Sequence, residues 1–85
     1  MSKYEKAKER ILSIPFDYTY AEAKYLLGKL GFKEYNKGRT SGSRVKFYRE
    51  RDKRIIMLHK PHPVEIMDRG AVADLVKKLV EMREL

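Results

Sequence analysis

The strongest constraint on the fold is an alternating segment in the middle of the chain, Arg44 to Arg49. Val45 and Phe47 are apolar, whereas Arg44, Lys46 and Tyr48 are basic or polar, so the two sets point to opposite faces of an extended strand. Such a strand suits a sheet that is covered on one face only. The segment therefore predicts that helices bury Val45 and Phe47 and leave the other three side chains open.

Helical patterns flank this region on both sides. The first runs from Lys3 to Ser13 and ends before Pro15, because the residue preceding a proline is disfavoured in the α conformation. The second begins with a capping box, Thr19 and Glu22, and ends at Gly31, which suits the left-handed stop of a helix. The third runs from about Asp68 or Gly70 to Arg83, with an apolar stripe on one side.

Two further strands complete the prediction. Phe32 to Lys37 and Ile55 to Leu58 flank the alternating segment and are separated from it by polar stretches. The predicted order is α-α-β-β-β-α, an α+β fold with a three-stranded antiparallel sheet packed on helices. The length of 85 residues suits a single domain, with residues 1–15 as a helical extension and residues 19–83 as the core.

Positive charge is concentrated in the middle third of the chain. The formal net charge is +8, and between Lys33 and Lys60 ten basic residues stand against three acidic ones, a net of 10 − 3 = +7. Such a concentration repels itself, and a polyanion would relieve the repulsion. A solvated surface that serves only solubility is the alternative. The asymmetry favours nucleic acid.

Two absences narrow the class of protein. There are no cysteines, which excludes disulfides and cysteine-based zinc sites and fits a reducing compartment. No segment approaches the roughly 20 apolar residues that span a bilayer, and the charged first residues lead into no apolar stretch typical of a signal peptide. We therefore expect a cytoplasmic protein without membrane contacts.

The polar stretch before the alternating segment is a candidate ligand loop. Two glycines, Gly38 and Gly42, allow sharp turns and close approach of the backbone to a phosphate. Neighbouring side chains offer donors, and the candidate RNA-binding residues of this loop are Lys37, Arg39, Thr40, Ser41, Gly42 and Ser43. An ordinary hairpin connection is the alternative, and the loop lacks the ending of a Walker motif.

Three further positions suggest chemistry. His59 and His62 follow the last strand, and histidine is suited to acid–base work near neutral pH. The spacing does not favour a metal site, since no cysteine or close carboxylate accompanies them, and two merely exposed histidines are the alternative. Lys60, between them, and Lys46 on the middle strand are candidate phosphate contacts. Tyr48 shares the open face with Lys46, which suits stacking on a base.

Several of these motifs, taken in order, resemble the HicA family of toxins. The resemblance rests on Leu30-Gly31-Phe32 at the end of a helix, Gly42-Ser43 at the start of a strand and Pro61-His62-Pro63 after the last strand. It covers about Tyr20 to Met82. It implies a fold of the double-stranded-RNA-binding type, a toxin that cleaves mRNA without a metal or other cofactor, and a HicB antitoxin that covers the active site.

The sequence departs from the family pattern at one position. The resemblance implies Gly-Ser-His with a catalytic histidine, whereas this chain has Gly42-Ser43-Arg44. Arginine stays protonated, so it cannot act as a base, but it can clamp a phosphate. Proton transfer would then fall to His59, His62 or both, with Arg44 as their electrostatic partner.

Three functions remain open at this point. The first is an endoribonuclease toxin acting on single-stranded or structured RNA. The second is a module that binds RNA without cleaving it, and the third is a domain that binds an acidic protein such as an antitoxin. The glycine loop and the clustered charge favour the first two.

Overall fold

The computed structural model describes residues 2–35, 44–61 and 64–85. Its elements follow the predicted order and confirm the α+β fold with a three-stranded antiparallel sheet. They are α1 (Lys3–Leu12), α2 (Tyr20–Lys29), β1 (Lys33–Tyr35), β2 (Arg44–Arg49), β3 (Arg54–His59) and α3 (Arg69–Glu81). In the described part of the chain, no helix has the length and apolar character needed to cross a membrane.

The middle strand of the sheet is β2, which pairs with β1 on one side and β3 on the other. Phe47 lies opposite Glu34 of β1 and opposite Ile56 of β3. Val45 and Phe47 are buried among the helices, as the alternating pattern predicts for β2. Ile56 and Leu58 of β3 are buried in the same core. The opposite face of the sheet carries no helix among the described elements and is open.

The start and end of α2 follow the predicted capping signals. The Thr19 side chain accepts a hydrogen bond from the Glu22 backbone N–H, and the Glu22 carboxylate accepts one from the Thr19 N–H. Gly31 ends the helix with a φ of 96°. Phe32 then donates its N–H to the Leu27 carbonyl at 2.9 Å. Phe32 therefore belongs to the helix end, which is why β1 begins at Lys33 and not at Phe32 as predicted.

The first helix contributes to the same core as the other elements. Ile11 is fully buried and belongs to one core cluster with residues of α2, the sheet and α3. Arg10 forms ion pairs with Glu22 of α2 and with Asp17, which joins α1 to the start of α2. Hydrogen bonds from Arg10 lower the pKa of the Glu22 carboxyl, despite its partial burial.

The segment before α3 is held against the start of α2. Thr19 and Ile66 form an antiparallel bridge, and Tyr20 donates its N–H to the Glu65 carbonyl at 2.9 Å. Met67 donates its N–H to the Tyr18 carbonyl at 2.8 Å. Asp68 caps α3 by accepting a hydrogen bond from the Gly70 N–H. The chain that leaves β3 is therefore anchored again before the last helix begins.

One of the ten basic residues of the middle segment, Arg49, is part of the interior. Its side chain is 3% exposed and pairs with Asp52 at 2.7 Å and with Glu84 at 3.0 Å. It also donates to the Leu30 carbonyl at 3.0 Å, and its guanidinium carbon lies 4.7 Å from the centre of the Phe32 ring. Arg49 therefore ties the β2–β3 turn to the end of α2 and to the C-terminal residues.

We predict that Arg49→Ala lowers the free energy of unfolding by about 3 kcal/mol, because it strips a buried, multiply bonded ion-pair partner from the structure. The matched control is Arg51→Ala. Arg51 also pairs with Glu84, at 3.5 Å, but its side chain is 69% exposed, so its loss should cost less than about 1 kcal/mol. Urea denaturation followed by circular dichroism measures both. Equal losses in the two variants would contradict the role given to Arg49.

Candidate nucleic-acid interface

The uncovered side of the sheet, here called the open face, is defined by cross-strand pairing. Directly opposed residues in antiparallel strands point to the same side. Lys33 and Ile55 lie opposite Tyr48, Tyr35 and Met57 lie opposite Lys46, and His59 lies opposite Arg44. The open face therefore consists of Lys33, Tyr35, Arg44, Lys46, Tyr48, Ile55, Met57 and His59.

The charges on this face are of one sign. Lys33, Arg44 and Lys46 are basic, His59 is titratable, and none of the eight residues is acidic. The Lys46 ammonium lies 5.5 Å from the centre of the Tyr35 ring, so a cation sits directly beside an aromatic surface. This arrangement is suited to a ligand that combines negative charge with flat rings.

Arg44 and His59 form the terminal pair of the β2–β3 ladder. Both side chains are exposed and point to the open face. Directly opposed residues in an antiparallel pair have Cβ atoms about 4.5–5.5 Å apart. The Arg44 guanidinium and the His59 imidazole can therefore both contact one small group, such as a phosphodiester.

The open face also contains a groove. Its lining residues are Tyr35, Lys46, Tyr48 and Ile55. Tyr48 and Lys46 lie there as predicted for the open side of β2. Tyr35 was not singled out by sequence reasoning, because its position depends on how β1 pairs with β2. Once that register is known, its pairing with Lys46 identifies it.

The remaining predicted site residues lie elsewhere. Lys60 is half-buried, and its ammonium lies 5.8 Å from the Tyr20 ring, on the side of the sheet that the helices cover. It is therefore separate from the cations of the open face. His62 and the loop residues Lys37, Arg39, Thr40, Ser41, Gly42 and Ser43 lie outside the described residues.

The side of the sheet near Lys60 has its own polar contacts. The buried Tyr20 hydroxyl donates to Glu34 at 3.0 Å, and Glu34 also pairs with Lys24 at 3.5 Å. Burial, together with the neighbouring carboxylate, raises the pKa of Tyr20. Glu34 is thus turned toward the helices, which keeps this carboxylate away from the open face.

The acidic residues and histidines give no candidate metal site in the part of the chain that is described. There, no group of three or more such side chains is arranged to hold a metal ion. Whether the protein acts on RNA without a metal stays a prediction.

Comparison with known proteins gives one family. A family model described as the HicA toxin of bacterial toxin–antitoxin matches residues 20–80. The match spans α2, the whole sheet and nearly all of α3, and it leaves out α1. No curated protein and no solved structure gives a significant match.

Proposed function

Since the chain belongs to the HicA family of toxins from bacterial toxin–antitoxin pairs, we propose that it binds RNA on the open face and cleaves it next to Arg44 and His59. The proposed compartment is the cytoplasm, where such RNA is found. The observation that carries the proposal is the cross-strand pairing of Arg44 with His59 at the end of a face that has basic but no acidic residues.

The chemistry assigns different roles to the two side chains. Cleavage without a metal requires that the 2′-hydroxyl lose a proton while it attacks the adjacent phosphorus, and that the leaving oxygen gain one. Arginine stays protonated, so the proposed role of Arg44 is to hold the phosphate and stabilise the charge that develops on its oxygens. Histidine is suited to proton transfer near neutral pH, so His59 is proposed as the base or the acid. His62 is the proposed second proton-transfer group, on sequence grounds.

Binding depends on the other cations. Lys46 and Lys33 extend the positive charge along the face and supply contacts to neighbouring phosphates. Tyr48 is proposed to stack beside them, and the glycine loop with Lys37 and Arg39 is proposed to continue the contact. Lys60 is a proposed RNA contact on sequence grounds alone, since its ammonium lies beside Tyr20.

A toxin of this kind has a cognate antitoxin as its partner. We propose that the antitoxin is HicB-like and neutralises the toxin by covering the open face. An acidic surface on the antitoxin would complement Arg44, Lys46 and Lys33 and would compete with RNA for the same cations.

A second candidate function is RNA binding without cleavage. The observation that favours it is the arginine in place of the histidine that the family pattern expects after Gly42-Ser43. If His59 does not reach the attacking hydroxyl, Arg44 and Lys46 would still hold RNA. Such a protein would sequester transcripts.

RNA cleavage is tested in the presence of a metal chelator. Purified protein incubated with RNA in EDTA should degrade it, and His59→Ala should lower the rate by about 100-fold or more, because it removes a proton-transfer group. Gel analysis of end-labelled RNA measures the rate. Arg44→His places a titratable group at the family's position, and gained or increased cleavage by this variant would show that the wild-type site lacks only a base there.

Two outcomes of that experiment separate the candidate functions. Loss of cleavage in His59→Ala with unchanged RNA binding supports the proposed catalytic role. Intact binding with no cleavage by either the wild-type protein or Arg44→His would instead establish the second candidate. Circular dichroism of each variant serves as the folding control.

The electrostatic contact with RNA is tested through its salt dependence. Binding of single-stranded RNA should weaken as salt increases, because phosphate contacts release counterions. Lys46→Ala should make the slope of log K against log salt shallower by about 0.7, the value of one lost contact. Lys77→Ala is the matched control, since Lys77 is an exposed lysine of α3. Fluorescence anisotropy at several salt concentrations measures the slopes, and equal slopes for the two variants would refute an RNA contact at Lys46.

A further inference from the structure

The open face carries more than positive charge. Tyr35 is 43% exposed, Ile55 49% and Met57 41%. With Tyr48, these side chains form an aromatic and apolar area between the cations. Phosphate binding alone does not account for this area, because phosphates are bound by cations and polar groups.

Both tyrosines are neighbours of Lys46, one across the strand pair and one along β2. Tyr35 is directly opposite Lys46, and Tyr48 lies two residues further along β2 on the same face. The rings are therefore diagonal neighbours, a relation in which aromatic side chains are within reach of one another. Ile55 lies opposite Tyr48 and closes the groove on the β3 side.

The groove also has a defined position relative to the Arg44–His59 pair. Residues rise about 3.3 Å each along a strand, so Lys46 lies about 7 Å from Arg44 and Tyr48 about 13 Å from it. A strand of RNA with one phosphate at Arg44 can therefore reach the groove with a neighbouring nucleotide. Lys46 lies between Arg44 and Tyr48 on the same face of β2 and is suited to bind the intervening phosphate.

The chemistry of the groove distinguishes between forms of RNA. In a duplex the faces of the bases are stacked on one another, and a protein meets mainly phosphates and 2′-hydroxyls. An unpaired base has free π-faces and can stack on tyrosine, with an alanine-substitution effect of about 5- to 150-fold in affinity per base. Exposed Tyr35, Ile55 and Met57 would gain little from a duplex and much from an unpaired base.

We propose that the groove lined by Tyr35, Lys46, Tyr48 and Ile55 is a stacking subsite for one unpaired nucleobase next to the phosphate held by Arg44. The subsite rests on the proposed function, since it requires that RNA lie on the open face. It makes the protein selective for single-stranded RNA, although its fold is of the double-stranded-RNA-binding type. Tyr35 is the residue on which this selectivity depends most.

The test compares three ligands of equal length by fluorescence anisotropy: a single-stranded oligouridylate, its abasic counterpart with the same phosphates, and an RNA duplex. Wild-type protein should bind the oligouridylate about 5- to 150-fold more tightly than the abasic chain. Tyr35→Leu should lose most of this preference, because leucine keeps the apolar bulk without the ring. Tyr35→Phe should keep it.

Tyr25→Leu is the matched control. Tyr25 lies on α2 and, like Tyr35, has a lysine ammonium over its ring, with Lys29 at 5.7 Å. Its replacement should leave the preference for the base-bearing chain unchanged. The slope of affinity against salt should stay the same in Tyr35→Leu, since no cation has been removed.

The outcomes separate the subsite from the function on which it rests. Equal binding of the oligouridylate and the abasic chain by the wild-type protein would overturn the subsite and leave RNA binding in place. Binding of none of the three ligands would overturn the proposed function and the subsite with it. If Tyr35→Leu binds RNA normally but binds the antitoxin more weakly, the groove is a protein contact and the subsite is overturned.

Discussion

The pairing register of β2 with its two neighbours is the constraint on which the open face depends. Val45 and Phe47 are buried on one side of the sheet, and Phe47 lies opposite the equally buried Ile56. Full burial of such a side chain contributes about 1.5–3 kcal/mol. A slip of β2 by one residue would turn these side chains to solvent and bring Arg44 and Lys46 inside. The same packing that stabilises the core therefore holds the cations outside.

The register places one arginine of β2 in the interior and another at the surface. Arg44 and Arg49 are an odd number of residues apart, so they point to opposite sides of β2. Arg49 is enclosed by Asp52, Glu84 and the end of α2, where its hydrogen bonds lower the pKa of the Asp52 carboxyl. The net charge counted along the sequence thus overstates the charge on the open face, because Arg49 lies on the covered side of β2.

Local signals predicted much of this fold from the sequence. The capping box of α2, the glycine that ends it and the alternation of β2 each depend on neighbouring residues, and all three are confirmed. Other features depend on contacts between distant segments. Three such features follow from how the helices and strands are assembled: the burial of Ile11 in the common core, the partners of Arg49, and the position of Tyr35 opposite Lys46. No pattern within a short window carries that information.

The same distinction applies to the candidate site. Sequence reasoning proposed Arg44 as the electrostatic partner of His59 or His62, but it supplied no geometric reason for Arg44 and His59, fifteen positions apart, to meet. The antiparallel ladder makes them direct neighbours. If an arginine has replaced the family's histidine, a base supplied from β3 is the compensation that this geometry allows, because His59 is opposite the replaced position. The replacement would then shift proton transfer from one strand to the next and keep the phosphate at the position proposed for it beside Arg44.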